Sequence, residues 1–315
     1  MVRTLIVLAL WSSASAHAFD LQGHRGTRGL APENTMAAFE RALALGVTTI
    51  ETDLAVTKDG VLVISHDSLL NPDIVRGPDG QWLSTKGPAI HSMTLEQLQS
   101  YDIGRTNPAS AYGKQFPEQR PADGQRFPTL AALFALGAGN GVRFAIETKI
   151  TPTSGSDTPD PATFAKLVVA AVRDAGMSAR VEVLSFDWRT LVEVKKLAPE
   201  IRTVCITQST ANLDNARDAA WTAGLEISRY DGSVPKLVRA AGCNTWSSFF
   251  RNLTPASIDE AHAIGLTVLP WTVNDPADMA RLIDMKVDGL ITDYADRARK
   301  VMADKGIALP PSVGK

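Results

Sequence analysis

Residues 143–207 read RFAIETKITPTSGSDTPDPATFAKLVVAAVRDAGMSARVEVLSFDWRTLVEVKKLAPEIRTVCIT. Three short β-forming runs, Arg143–Glu147, Val181–Phe186 and Arg202–Thr207, alternate here with helical patterns. Asp160-Pro161 opens the first helix, with an N-cap residue followed by proline at the first helical position. A strand, a helix and another strand in this order imply parallel pairing through crossover helices.

The same alternation runs on in both directions. Further strands are predicted near Asp20–His24, Thr48–Asp53, Thr245–Phe249, Thr267–Trp271 and Gly289–Asp293. Thr254-Pro255 and Asp275-Pro276 mark two more helix starts. Asn34 is placed to cap a helix through Leu45, with Met36, Phe39 and Leu43 on one face and Gly46 ending it. Eight strand-then-helix units without a glycine-rich dinucleotide fingerprint predict an α/β fold, a (β/α)8 TIM barrel rather than a doubly wound sheet. Val61–His66 reads as an additional strand, facing Ala55–Lys58 across the Asp59-Gly60 turn. Leu70–Gln125 is too long for an ordinary connection and reads as an insertion after the second strand region, above the barrel mouth.

The chain has 315 residues, 44% hydrophobic and 21% charged, with a net charge of -2. That balance disfavours disorder and offers no electrostatic footprint for nucleic acid or an anionic membrane. Residues 1–18, MVRTLIVLALWSSASAHA, read as a signal peptide. Arg3 is its positive region, Leu5–Trp11 its apolar run and Ala16-His17-Ala18 its cleavage pattern. The apolar run is too short to span a bilayer, so the expectation is an exported, periplasmic or secreted protein with no stable membrane anchor once the signal is cleaved. The remaining chain, residues 19–315, is read as a single barrel domain. Cys205 and Cys243, 38 positions apart, fall on successive strand regions, where an oxidising compartment permits pairing. The reading adopted is two small buried thiols, since sequence does not fix the geometry a disulfide needs.

In a (β/α)8 barrel the active site lies where strands end and βα loops begin. The chemically unusual residues fall there. His24-Arg25-Gly26 follows the first strand, Glu51 and Asp53 close the second on one face, and Glu147 and Lys149 repeat that spacing on the third. His66-Asp67 ends the hairpin strand and Trp271 ends the seventh. Glu51, Asp53 and Glu147 in one mouth repel one another, and one divalent cation, Ca²⁺ or Mg²⁺, is the compensation expected for oxygen ligands. His24 and His66 suit a proton-accepting and proton-donating pair, while Arg25 and Lys149 supply cations for an anionic substrate. His91 and His262 lack such company and read as structural. Together the residues describe phosphoryl chemistry, with water or a substrate hydroxyl as nucleophile.

These residues resemble the glycerophosphodiester phosphodiesterase family. The match runs through GHRGTRGLAPENTMAAFERALALGVTTIETDLAVTKDGVLVISHD (Gly23–Asp67), FAIETK (Phe144–Lys149) and GLTVLPWTVNDPADMARLIDMKVDGLITDY (Gly265–Tyr294). The resemblance implies hydrolysis of a small-molecule glycerophosphodiester to glycerol 3-phosphate and an alcohol. It also implies His24 and His66 as the acid/base pair, Glu51, Asp53 and Glu147 as metal ligands, and Arg25 and Lys149 as phosphate contacts. Trp271 falls where the family has an aromatic lining the substrate pocket. By the same resemblance Glu33 and Asn34 order the loop after the first strand, and Asp293 is structural.

Overall fold

A computed structural model describes residues 18–314. The predicted signal peptide lies, but for Ala18, outside the described residues. Nine strands form one sheet: β1 (Asp20–Gly23), β2 (Thr49–Val56), β3 (Leu62–Ile64), β4 (Arg143–Thr148), β5 (Val181–Ser185), β6 (Arg202–Thr207), β7 (Thr245–Phe249), β8 (Thr267–Trp271) and β9 (Gly289–Thr292). Eight of them pair in parallel in the order β8-β7-β6-β5-β4-β2-β1-β9. Helices return the chain between them: α1 (Met36–Leu45), the four-residue α2 (Leu95–Leu98), α3 (Leu130–Leu136), α4 (Pro161–Asp174), α5 (Trp188–Leu197), α6 (Val234–Ala240), α7 (Pro255–Ala263), α8 (Pro276–Asp284) and α9 (Ala295–Asp304). This is the (β/α)8 barrel that the element count predicts.

Closure between β8 and β9 is sparse, with Asp288 N–H donating to Val268 O at 3.1 Å and Val273 N–H to Ile291 O at 2.9 Å. Pro270 accounts for the gap. It lies two residues beyond Val268, on the side of β8 facing β9, and has no N–H to donate.

The helices pack the barrel's outside. On α4 the buried Phe164, Ala165, Val168, Val169 and Val172 form one face, and burying each large apolar side chain stabilises the fold by about 1.5–3 kcal/mol. Asp160, Thr254 and Asp275 cap their helices as predicted. The cap of α1 is a correction. Thr35, not Asn34, accepts the Ala38 N–H, because Asn34 sits at φ 56 and turns its side chain into the barrel.

The cysteines are a second correction: Cys205 and Cys243 form a disulfide, their Cα atoms 5.9 Å apart. Cys205 lies on β6 and Cys243 just before β7. The register pairing of β6 with β7 brings both sulfurs to one buried layer, a consequence invisible in the spacing alone.

The predicted hairpin forms, with Leu54, Ala55 and Val56 opposite Ile64, Val63 and Leu62. Residues 70–125 pack on it through a separate apolar cluster that includes Leu70, Ile74, Val75, Ile90, Leu98 and Ile103. They also send Tyr112 toward the barrel mouth.

Candidate active site

The H-R-G turn after β1 is a strained local structure. Arg25 holds φ 50, and Gly26 holds φ 85 with its Cα so close to α1 that a Cβ would stand 2.8 Å from Ala38. The turn points the Arg25 N–H at Glu51 Oε2, 2.8 Å away, and brings His24 Nε2 within 3.9 Å of the same oxygen.

Glu51 and Asp53 on β2 and Glu147 on β4 come together. All three are buried, and one carboxylate oxygen from each lies within 4.8 Å of the others. The register explains this, since Asp53 pairs directly with Glu147 on the neighbouring strand. Asn34 Nδ2 donates to Asp53 at 2.9 Å, and Lys149 Nζ donates to Glu147 at 2.7 Å and stands 3.6 Å from Asp53. Burial, then repulsion from Asp53, pushes the Glu51 carboxyl well up. Burial also opposes ionisation of Asp53, but Arg25 and Lys149 outweigh it and hold that carboxyl below its ordinary range. Glu33, Asp293 and, beside His66, Asp67 also face this centre, so acids outnumber the three cations Arg25, Arg28 and Lys149. Three clustered carboxylates offering oxygen donors fit a hard divalent cation.

The two histidines differ in setting. His24 Nδ1 lies 2.6 Å from Asp293 Oδ1. Asp293 is fully buried and accepts a two-pronged bond from Arg28, at 2.9 and 3.0 Å, and another from Asn274 at 2.7 Å. Burial and then Arg28 pull the His24 imidazole down to about 4, with Asp293 opposing. Asp293 therefore orients His24, where sequence reasoning gave it a structural part only. Its signal in the sequence was its place at the end of the last strand, directly beside the first. His66 is less buried and has Asp67 Oδ1 3.0 Å from its Nδ1.

Arg25 and Lys149, read from the sequence as phosphate contacts, line the cavity while ion-paired with its acids; Arg25 Nη1 donates to Glu33 at 2.6 Å. Two further residues escaped the sequence reading. Arg28 lines the same cavity, and Tyr112 donates to Glu33 and accepts from Arg28 at 2.9 Å. A tyrosine 79 positions from its partner gives no local signal. Glu33 and Asn34 tie the first loop to Arg25 and to β2, as expected. His91 and His262 bond to Val56 O and Asp288, away from this cluster.

His24, His66, Arg25, Lys149, Glu51, Glu147 and Trp271 line one cavity of about 260 Å³ at the C-terminal ends of the strands. A barrel with a buried carboxylate cluster, two histidines and three cations at this mouth is suited to chemistry on anionic substrates.

Comparison with known proteins narrows the class. Residues 24–297 match the family model described as Glycerophosphoryl diester phosphodiesterase family. The chain belongs to this family. It is 30% identical over 272 residues to a glycerophosphodiester phosphodiesterase of Caldanaerobacter subterraneus subsp. tengcongensis, covering 86% of this chain and 92% of that one. A Bacillus subtilis glycerophosphodiester phosphodiesterase is 29% identical over 287 residues, covering 88% and 84%. A solved structure from Silicibacter pomeroyi DSS-3, assigned as a glycerophosphoryl diester phosphodiesterase, superposes with a TM-score of 0.84 at 34% identity, covering 93% and 95%. An Oleispira antarctica phosphodiesterase, solved with the product sn-glycerol-3-phosphate, shares the fold with a TM-score of 0.67 at 21% identity, covering 90% and 96%.

Proposed function

We propose that this glycerophosphodiester phosphodiesterase releases glycerol 3-phosphate and an alcohol in a dication-dependent reaction, with His24 and His66 moving the protons. The observation that carries the reading is a buried triad, Glu51, Asp53 and Glu147, of which Glu51 and Glu147 line one cavity with both histidines. Those three carboxylates would hold Ca²⁺ or Mg²⁺, which supplies Lewis-acid polarisation of the phosphoryl group when bound. Arg25 and Lys149 neutralise the remaining phosphate charge. His24, held by Asp293 at Nδ1, presents Nε2 to the cavity, and His66 faces it from the hairpin side. One takes the proton of the attacking hydroxyl and the other returns one to the departing alkoxide.

A water-soluble substrate is favoured over a lipid aggregate. Among the described residues the large exposed apolar side chains are Leu197 and Leu309. Leu197 ends α5, and Leu309 adjoins Pro310 beneath the end of α1, so both lie at the barrel end opposite the cavity. No helix among the described residues is long and apolar enough to cross a membrane. Export is part of the proposal, supported by the leader sequence and by a buried disulfide suited to an oxidising compartment.

The test is glycerol 3-phosphate release from glycerophosphocholine after chelation and again after refilling with Ca²⁺ or Mg²⁺. Activity lost and restored supports the reading; activity indifferent to thorough chelation overturns the metal dependence.

A further inference from the structure

Arg28 lines the catalytic cavity, but its nitrogens are committed to protein groups. Nε and Nη2 donate to Asp293 Oδ1 and Oδ2 at 2.9 and 3.0 Å, and Nη1 donates to Tyr112 Oη at 2.9 Å. With all three nitrogens engaged in this way, Arg28 acts on the chemistry through what it holds.

What it holds is the carboxylate behind His24. Asp293 Oδ1 lies 2.6 Å from His24 Nδ1 and also accepts from Arg28 Nε, while Oδ2 accepts from Arg28 Nη2 and, at 2.7 Å, from Asn274 Nδ2. One bond from Asn274 leaves a carboxylate free to turn about its last bond. A planar, two-pronged guanidinium fixes the plane. Fixing that plane fixes the direction of the His24 ring, whose Nε2 faces the cavity. The charge matters as well, because a fully buried carboxylate needs a partner cation.

The guanidinium is gripped in turn from far along the chain. The Phe116 ring centroid lies 4.8 Å from Arg28 Cζ and that of Tyr112 5.8 Å, and the two rings meet edge to face at 5.3 Å. Gln119 Nε2 donates to the Arg28 carbonyl at 2.8 Å, and the Arg120 N–H to the Leu30 carbonyl at 3.0 Å. This stretch of the insertion therefore holds Arg28 by its charge, its flat face and its backbone. Phe116 is buried and the Arg28 side chain only 13% exposed, a setting in which cation–π contacts gain strength.

We propose that Arg28 is a positioning residue, the link through which the insertion fixes Asp293 and hence the aim of His24. The proposal rests on the proposed function and adds that the stretch around Tyr112 and Phe116 belongs to the catalytic apparatus. A misplacement of about 1 Å can lower a rate about 100-fold, so a slackened fork acts on turnover before it acts on binding.

The experiment measures kcat and KM on glycerophosphocholine, with dication present, for wild type, Arg28→Gln, Arg28→Lys, Phe116→Leu and Asp293→Asn. Melting temperature checks folding. Arg28→Gln is expected to lose about 10- to 100-fold in kcat with KM within about threefold. Arg28→Lys, which keeps the charge but not the fork, should stay at least about fivefold below wild type in kcat. Phe116→Leu leaves both charges in place and should lose about 2- to 5-fold. Added to Asp293→Asn, Arg28→Gln should cost no more than about a further threefold, because residues that act as one unit are not additive. Where Arg28→Gln does not fold, Arg28→Lys and Phe116→Leu decide, and wild-type kcat in both overturns the inference. In a wild type that cleaves glycerophosphocholine, an unchanged kcat, a loss carried by KM alone, or losses that multiply in the double variant overturn this inference and leave the proposed function standing. A wild type that releases no glycerol 3-phosphate from glycerophosphodiesters overturns both.

Discussion

His24 is poised by a single carboxylate, and its Nδ1 is committed to Asp293. An Asp293→Asn variant keeps the shape but lets an amide donate to Nδ1, which stabilises the tautomer carrying its proton on Nε2. We expect kcat to fall at least ~100-fold with a much smaller change in KM, measured by glycerol 3-phosphate release; an unchanged kcat would remove Asp293 from the working site. His24→Ala and His66→Ala are each expected to lose at least ~100-fold in turnover with little change in melting temperature, as general acid–base groups do. The acids and histidines were legible in the sequence because each sits at a strand end with period-two spacing or a charged neighbour. The contact between Asp293 and His24 was not legible, because the two lie 269 positions apart, across the seam where the barrel's last strand meets its first.

Individual elements carry different loads. The segment between β3 and α3 does more than cover the hairpin, since Tyr112 bonds Glu33 and the cavity-lining Arg28. Phenylalanine at this position should lower unfolding stability by about 1–3 kcal/mol and reduce kcat/KM severalfold; urea titration and steady-state kinetics measure both. Equal stability and rate would make Tyr112 a bystander. The strap between β6 and β7 is the Cys205–Cys243 bridge, closing a loop of 38 residues. A double Cys→Ser variant is expected to lose about 3–4 kcal/mol, with a melting temperature unaffected by reductant. Strand and helix order were readable because caps, prolines and β-rich runs are local. The disulfide and the reach of Tyr112 were not, because both depend on pairings between distant strands and loops.

Across the whole molecule the two ends of the barrel divide the work. Away from the cavity, Glu182 at the start of β5 accepts from Gln22 at 2.9 Å, and burial and then Asp20 raise its carboxyl from 4.5 to about 7. A raised folded-state pKa means the folded chain binds more protons than the unfolded one between those values. Its contribution is thus full below pH ~4.5 and lost as pH rises through about 7. Glu182→Gln should melt higher than wild type at pH 8 and no higher at pH 4, by scanning calorimetry; a difference independent of pH would contradict this. Activity near neutral pH should change little, because the residue lies far from the strand ends that carry the chemistry.

At the other end everything turns on whether Glu51, Asp53 and Glu147 hold a dication. Calorimetric titration of chelator-treated protein with Ca²⁺ and Mg²⁺, beside Asp53→Asn, tests this most directly. Wild type should bind one ion per chain and melt higher at saturation, by about 2.7 kcal/mol at a hundredfold excess over Kd, and the variant should lose both effects. Wild type that binds no ion, or a variant that binds as tightly as wild type, would contradict the account.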